Sequence, residues 1–254
     1  MSFNKLVVAL EALKLLFLDQ HLVAIDKPPG LLVHRSRVDV QATEFALQRL
    51  RDQLQQPVFP VHRIDRPTSG VLLFGLNQNV ARTLSEQFQR RQVEKEYLAI
   101  VRGHPPERTH WNEPLLEKHD RMTDQKAQKS KPAQEAQTDF ESICHWTLPF
   151  SAGKYPHSRY SLIKAIPKTG RKHQIRRHLN HMAYPIIGDT TYGDRRHNRL
   201  FRERLGISRL QLVAKLLTIR HPLSGHTITI EADNGREFDD AIRRMDEYAL
   251  GDTV

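Results

Sequence analysis

The sequence predicts an α+β fold whose strands form a mostly antiparallel sheet. Strand-like and helix-like runs mix irregularly along the chain, and the regular βαβ rhythm of a doubly wound parallel sheet is missing. No internal repeat or low-complexity tract is found. A chain of 254 residues can form one large domain or two small ones, and because no linker divides it we expect one domain over residues 1–254.

The predicted elements of the first half are bounded by turn residues. Two β-rich runs within 13–30 flank a polar turn and end at a Pro-Pro-Gly break. The segment 41–57 predicts a helix because its apolar residues recur at near-helical spacing until a proline ends it. An apolar strand follows the turn at 68–70, an amphipathic helix covers 79–92, and an alternating strand runs over 93–103.

The second half begins with a polar stretch at 117–137 that lacks a clear period. It indicates a long exposed loop, and a linker and a functional loop are equally open interpretations. The remaining predicted elements are strands at 138–148 and 158–167, a basic helix at 171–182, strands at 209–219 and 226–232, and a final helix at 236–250.

The charge of the chain indicates an anionic partner. Lys and Arg number 39 against 29 Asp and Glu, which gives a net charge of +10 and a pI near 9.9. The excess is concentrated, because the segment 171–204 holds nine Lys or Arg and three acids, a net of +6. Nucleic acid is therefore the first candidate partner.

The cysteine content and the N-terminal hydropathy bear on where the protein acts. The single cysteine, Cys144, excludes an internal disulfide and a cysteine-based zinc site, as expected for a reducing compartment, and we expect the cytoplasm. Glu11 and Lys14 interrupt the apolar run near the N-terminus well before the ~20 residues that a membrane span requires. No signal peptide or membrane anchor is expected.

Asp65 is the first candidate for chemistry. It stands in the stretch VHRIDRPTSGVLLFGL, residues 61–76, between a short β-rich run and a tight turn. Loop residues held on a rigid scaffold commonly carry out chemistry. An Asp at such a place can equally cap the turn through its own backbone, so this stretch alone leaves both interpretations open.

The same stretch resembles the HR(L/I)D…TSG signature of the RluA family of pseudouridine synthases. Four further motifs of that family occur in the family's order, namely DKPPG at 26–30, KEYLAIVRG at 95–103, PKTGRKHQIRRHLNHMAYPIIGDTTYG at 167–193 and RLQLVAKLLTIRHP at 209–222. The resemblance covers nearly the whole chain. It implies a catalytic domain with a long mixed, mainly antiparallel sheet and a central cleft, flanked by helices and loops, without the N-terminal S4 domain that several relatives carry.

The resemblance also implies roles for three residues. Asp65 corresponds to the catalytic aspartate, Tyr97 to the active-site tyrosine, and Arg176 to the arginine that pairs with the aspartate. Isomerising uridine requires breaking the N1–C1′ bond, turning the uracil and rejoining it through C5, which calls for an ionised nucleophile held in place. A nearby guanidinium favours the charged carboxylate. The residues leave open whether Asp65 attacks the sugar or assists departure of the base.

Tyr97 would stack on the uracil and could accept a proton from the sugar. Without the motifs, it would be interpreted as a packed strand aromatic. The helix at 171–182 would likewise be a solvated basic face, whereas the resemblance implies that one of its four basic residues, Arg176, turns inward. Leu212, on the last motif strand, is expected to form one wall of the site.

The other basic residues of this region are expected to contact phosphates and to fix the register of the RNA without reading its sequence. They are Arg171, Lys172, Arg177, Arg195, Arg196, Arg199, Arg202 and Arg204. A uridine paired in a stem must be extruded before it can react. The resemblance implies that Arg63 fills the vacated space, and a further phosphate contact is the alternative for this residue.

The resemblance favours tRNA as the partner and uridine 65 of tRNA as the target. A monomer is expected, and no cofactor is indicated. A metal site of His173, His178 and His181 is a rival interpretation, but no carboxylate joins these residues at ligand spacing, so no metal is expected. Two further alternatives stay open. One is the same chemistry on ribosomal RNA, and the other is a non-catalytic RNA-binding protein that keeps the fold.

Overall fold

The computed structural model describes residues 11–34, 44–116 and 132–250, and over these ranges it contains ten strands and five helices. The strands are β1 Leu15–Leu18, β2 Leu22–Lys27, β3 Phe59–Pro60, β4 Ser69–Gly75, β5 Glu94–Arg102, β6 Arg108–Asn112, β7 Gln137–Leu148, β8 Ser158–Pro167, β9 Leu212–Arg220 and β10 Thr227–Glu231. The helices are α1 Ala46–Leu54, α2 Gln78–Gln89, α3 Gln174–His181, α4 Arg195–Leu205 and α5 Arg236–Tyr248.

The ten strands join one sheet in the order β1-β2-β4-β9-β5-β8-β7-β6, with β3 paired to β4 and β10 paired to β9. The pair β4–β9 is parallel, and the other strand pairs of the described ranges are antiparallel. The predicted α+β class with a long mixed, mainly antiparallel sheet is therefore confirmed.

Helices cover both faces of the sheet around β4, which explains why this strand is apolar throughout. Val71 and Leu73 pack in one cluster with Leu84 of α2, whereas Leu72 and Phe74 pack in another with residues of α1. Successive side chains of a strand point to opposite faces, so a strand covered on both sides requires a continuous apolar run.

The other half of the sheet is covered in the same way. Ile100 of β5 packs in a cluster with Phe201 of α4 and Phe238 of α5, while its neighbours Ala99 and Val101 pack with α3. Each helix is therefore fixed by burial of one apolar face against the sheet.

The parallel contact between β4 and β9 depends on a glycine. Gly70 lies opposite Ala214, and its φ is +107°. A Cβ atom at this position would lie 2.2 Å from the carbonyl oxygen of Ala214, so only glycine allows this approach. The approach brings the loop that precedes β4 next to β9.

Over the described residues the predicted helices and strands are confirmed, with shifts at their ends, and residues 41–43 of the first predicted helix lie outside the described residues. Helix α3 begins three residues later than predicted, because His173 adopts the left-handed conformation with φ 56° directly before it. The sequence analysis missed β6 and α4. In α4 only Leu200, Phe201 and Leu205 are buried, a spacing too sparse to stand out among charged residues. Residues 117–131 of the predicted loop lie outside the described residues.

Within the described ranges, none of the helices combines the length and the apolar character that crossing a membrane requires.

Candidate active site

The loop before β4, strand β5 and helix α3 meet at a cavity of about 610 Å³. Asp65, Tyr97 and Arg176 all line it, as do Arg63 and Leu212. The fold therefore brings together three residues that lie on three separate motifs, and the expectation that Leu212 forms one wall is confirmed.

The segment 26–30 is hydrogen-bonded to the loop that carries Asp65. The backbone N–H of Gly30 and the Nζ of Lys27 both donate to the carbonyl oxygen of Arg66, at 2.8 and 3.1 Å. The N–H of Thr68 closes the turn by donating to the backbone oxygen of Asp65 at 3.1 Å. The Asp65 carboxylate is thereby left to face Arg176, and over the described residues no N–H of its own turn donates to it.

Lys27 is a fully buried lysine in this support. Its Nζ also donates to the carbonyl oxygens of Pro28 and Leu31, at 2.8 and 2.9 Å. Burial lowers the pKa of Lys27 from 10.5 to about 7, against the opposing attraction of Asp65 and Asp26. Lys27 lies within the DKPPG motif at 26–30, which did not predict a role for its side chain.

Arg176 bridges two carboxylates. Its Nη1 donates to Oδ2 of Asp65 at 3.1 Å, while its Nε and Nη2 donate to Oδ2 and Oδ1 of Asp189 at 2.8 and 2.9 Å. The side chains of Arg176 and Asp189 are 5% and 1% exposed, whereas that of Asp65 is 19% exposed. The bidentate pair is thus the buried base of the site, and Asp65 is its solvent-facing member.

Asp189 fixes the direction of Arg176, and the sequence analysis gave it no role. Its Oδ1 also accepts the backbone N–H groups of Thr191 and Tyr192, each at 2.9 Å. Burial opposes ionisation of Asp189, but hydrogen bonding and attraction from Arg176 outweigh it and leave its pKa below the usual value. Burial likewise opposes the charge on Arg176, yet Asp189 and then Asp65 raise its pKa.

Tyr97 lies on β5 at a β-bulge, where the pairing with β9 shifts between Glu96 and Tyr97. Bulges re-aim side chains, and here Lys95 and Tyr97 both line the cavity. Burial, followed by the charge of Asp65, raises the pKa of Tyr97, so its hydroxyl is protonated at neutral pH. Burial and the charge of Lys168 lower the pKa of Lys95 to about 8.

His173 forms a polar part of the cavity wall. From the sequence it was considered only as a candidate metal ligand. Its Nε2 lies 3.8 Å from Oδ1 of Asp65, and its Nδ1 is 3.1 Å from the hydroxyl of Tyr192. His178 and His181 instead contact Thr138 and Glu113. In the part of the chain that the structure describes, no group of three or more His, Cys, Asp or Glu side chains is arranged to hold a metal ion.

The basic residues of the predicted helix at 171–182 are buried or exposed in a different pattern from the prediction. Two of them, Arg176 and Arg177, are buried, and Arg177 donates to the carbonyl oxygen of Leu116 at 2.9 Å. The expectation that only one turns inward is therefore wrong, because residues i and i+1 of this short helix both meet neighbouring segments. Arg171 lines the cavity and Lys172 is partly exposed.

The remaining basic residues lie at two places. Arg63 is exposed at the rim of the cavity, two residues before Asp65 on the same loop. Arg195, Arg196, Arg199, Arg202 and Arg204 are exposed on α4.

Comparison with known proteins agrees with this geometry. A model of the family described as RNA pseudouridylate synthase matches residues 21–181. The chain therefore belongs to the RNA pseudouridylate synthase family and is a pseudouridine synthase, an enzyme that isomerises uridine to pseudouridine, as the RluA resemblance implied.

Relatives include proteins named tRNA pseudouridine synthase C. That of Haemophilus ducreyi is 52% identical over 87% of this chain and 90% of its own length, and that of Pasteurella multocida is 47% identical over 92% and 96%. Among solved structures, human RNA Pseudouridylate Synthase Domain Containing 4 superposes with a TM-score of 0.68 at 26% identity, covering 92% of this chain and 93% of that one.

Proposed function

We propose that this enzyme acts on tRNA, with uridine 65 as its target. The observation that carries the choice of tRNA is the identity of 52% and 47%, over nearly the full length, to relatives named for tRNA. The position within tRNA rests on the resemblance of the motifs. Acting on tRNA, the enzyme would work in the cytoplasm as a monomer without cofactor or metal.

In this proposal Asp65 is the nucleophilic carboxylate at the sugar of the target uridine. The Asp65–Arg176 hydrogen bond of 3.1 Å and the buried Asp189 behind it support this role, because they hold one carboxylate oxygen still and leave the other toward the cavity. Arg176 stabilises the ionised form and acts as the ion-pair partner.

Tyr97 would lie against the uracil and exclude water from the reacting atoms. Its hydroxyl is protonated at neutral pH, so it could accept the sugar proton only while passing its own proton on. Tyr97 lines the same cavity as Asp65, which supports this placement.

Arg63 is proposed to occupy the space that the extruded nucleotide leaves. Extrusion costs a few kcal/mol of stacking and pairing, and a planar guanidinium can stack in the vacated position. The exposure of Arg63 at the rim of the cavity that holds Asp65 supports this role. Arg171, Lys172, Arg195 and Arg196 would contact phosphates around the site.

All strands of the described ranges join one sheet, which supports the proposal of a single catalytic domain over residues 1–254.

The test is to map pseudouridines in tRNA and ribosomal RNA from cells with and without this protein. Loss of pseudouridine at position 65 of tRNA alone is expected, and loss in ribosomal RNA alone would overturn the choice of substrate. The purified Asp65→Asn variant should bind tRNA as the wild type does and form no pseudouridine. A wild-type protein that binds RNA but isomerises none would favour the non-catalytic alternative.

A further inference from the structure

A second cavity, of about 720 Å³, lies apart from the candidate active site. It is enclosed by the loop 149–157 between β7 and β8, the beginning of β8, the end of β5 and the first turn of α4. None of the residues that line it also lines the first cavity. Of its lining residues, the proposed function uses only Arg196, as a phosphate contact.

The walls of this cavity are strongly basic. Arg102, Lys154, Arg159 and Arg196 line it, and no Asp or Glu is among the lining residues. Asp194, just outside, binds Arg102 at 2.7 Å and Arg196 at 3.3 Å, so one negative charge offsets part of the four positive charges.

Lys154 and Arg159 carry the uncompensated charge. Both are exposed, and over the described ranges neither has an acidic side chain within ion-pair distance. His197 adds no charge to the wall, because burial lowers its pKa to about 4. The cavity therefore favours an anion, and it presents two free cations to bind one.

An exposed aromatic ring stands beside these cations. Tyr155 is 68% exposed, and Nζ of Lys154 lies 5.8 Å from the centre of its ring. A single exposed ring is common on protein surfaces, and what distinguishes Tyr155 is its position among the cations of this cavity. Cations that follow a phosphate backbone together with an aromatic face for a base are the combination that binds unpaired nucleotides.

Helix α4 fixes this cavity relative to the active site. Arg196 and His197 line the cavity, and the next residue, Asn198, is bonded to the turn that carries Asp189. Its side chain accepts the N–H of Gly188 at 2.8 Å and donates to the carbonyl oxygen of Asp189 at 2.9 Å. One RNA molecule of sufficient length could therefore be held at both places in a fixed register.

We infer that this cavity is a second RNA subsite, which binds a phosphodiester of the substrate through Lys154 and Arg159 and stacks an unpaired base on Tyr155. The nucleotide that it holds lies outside the stem and loop that contain the target uridine. The inference rests on the proposed function, since it takes the occupant to be the same tRNA.

The test compares two RNAs and two double variants. The RNAs are a full-length tRNA transcript and a hairpin that contains only the target stem and its loop. Lys154→Gln/Arg159→Gln removes the two free cations, and Arg51→Gln/Arg236→Gln removes the same charge from exposed residues that line neither cavity. Binding is measured over a range of salt concentrations, and thermal melting confirms that both variants fold.

The cavity variant should bind full-length tRNA about tenfold more weakly, and the slope of log K against log salt should fall by about one, because one phosphodiester is no longer neutralised. Its binding to the hairpin and its turnover of the hairpin should match the wild type. Tyr155→Ala should weaken binding of tRNA by about tenfold with an unchanged salt slope.

An equal loss on the hairpin, an equal loss in the Arg51/Arg236 control or no loss on tRNA would each overturn the subsite. Failure of the proposed function is visible separately, as a wild-type protein that forms no pseudouridine in tRNA. The binding comparison would still decide whether the cavity holds RNA.

Discussion

Replacing Asp189 by Asn should separate the support of the active site from its chemistry. Asp189 accepts two hydrogen bonds from Arg176 and two from the backbone. An Asn side chain of the same shape can keep the three bonds that Oδ1 accepts. Its NH₂ group would then face the Nε–H of Arg176, so that two donors meet in a buried place.

The magnitude follows from these contacts. Loss of one charge-assisted hydrogen bond costs about 1.5–3 kcal/mol, and the unsatisfied Nε–H of a buried guanidinium costs about 1–3 kcal/mol more. The pair is almost fully buried, at 5% and 1% exposure, so solvent does not reduce this cost. A loss of about 3–5 kcal/mol in the free energy of unfolding is expected, as for other buried pairs that lose one partner.

The assay is chemical and thermal denaturation together with steady-state kinetics on tRNA. For a chain of this size the loss corresponds to a fall in melting temperature of roughly 6–20 °C. Because Arg176 would no longer hold Asp65 in place, kcat should fall on the order of 10²-fold while KM is unchanged.

Glu247→Gln is the control, because Glu247 pairs with Arg243 at 2.6 Å but both side chains are about half exposed. It should cost about 0–1 kcal/mol and leave kcat unchanged. An Asp189→Asn variant as stable and as active as this control would refute the reasoning.

Three further predictions concern residues around the site. Tyr97→Phe keeps the ring but removes the hydroxyl that is proposed to transfer a proton, so kcat on tRNA should fall about 10²-fold; a kcat near the wild type would show that Tyr97 only stacks. Folding lowers the pKa of Lys27 from 10.5 to about 7, so the free energy of unfolding should rise with pH between these values, by at most about 1.4 kcal/mol per pH unit. Lys27→Met, denatured at pH 7 to 9.5, should lack this rise. The same dependence of stability on pH in the variant and the wild type would contradict the prediction. Gly70→Ala should lower the free energy of unfolding by about 2–5 kcal/mol, because the strained backbone conformation adds to a clash of the new Cβ with Ala214. Gly225→Ala is the control, since Gly225 has φ +72° but no atom within 4 Å of the new Cβ, and it should cost only about 1–2 kcal/mol. Equal losses in denaturation would argue against the clash.

The motifs predicted the candidate catalytic residues but not the residues that support them. Asp65, Tyr97 and Arg176 were predicted and line one cavity. Asp189 and Lys27 stood inside the motifs that the sequence analysis quoted, and their roles were missed. A residue type shows what a side chain can do, whereas the partner that it meets depends on a packing contact across the fold.

The sequence by itself determined the order and kind of most elements and the residues available for chemistry. These follow from local spacing, turn residues and motifs, which the chain carries within a few residues. The resemblance had implied that Arg176 pairs with Asp65, 111 residues away, and the structure contains that hydrogen bond. Only the tertiary structure decided that Asp189 binds the other edge of the Arg176 guanidinium. It also decided that Arg177 is buried beside Arg176, and that α4 joins a second basic cavity to the turn of Asp189. Contacts between distant segments depend on which faces pack together, and neither periodicity nor charge along the chain specifies that choice.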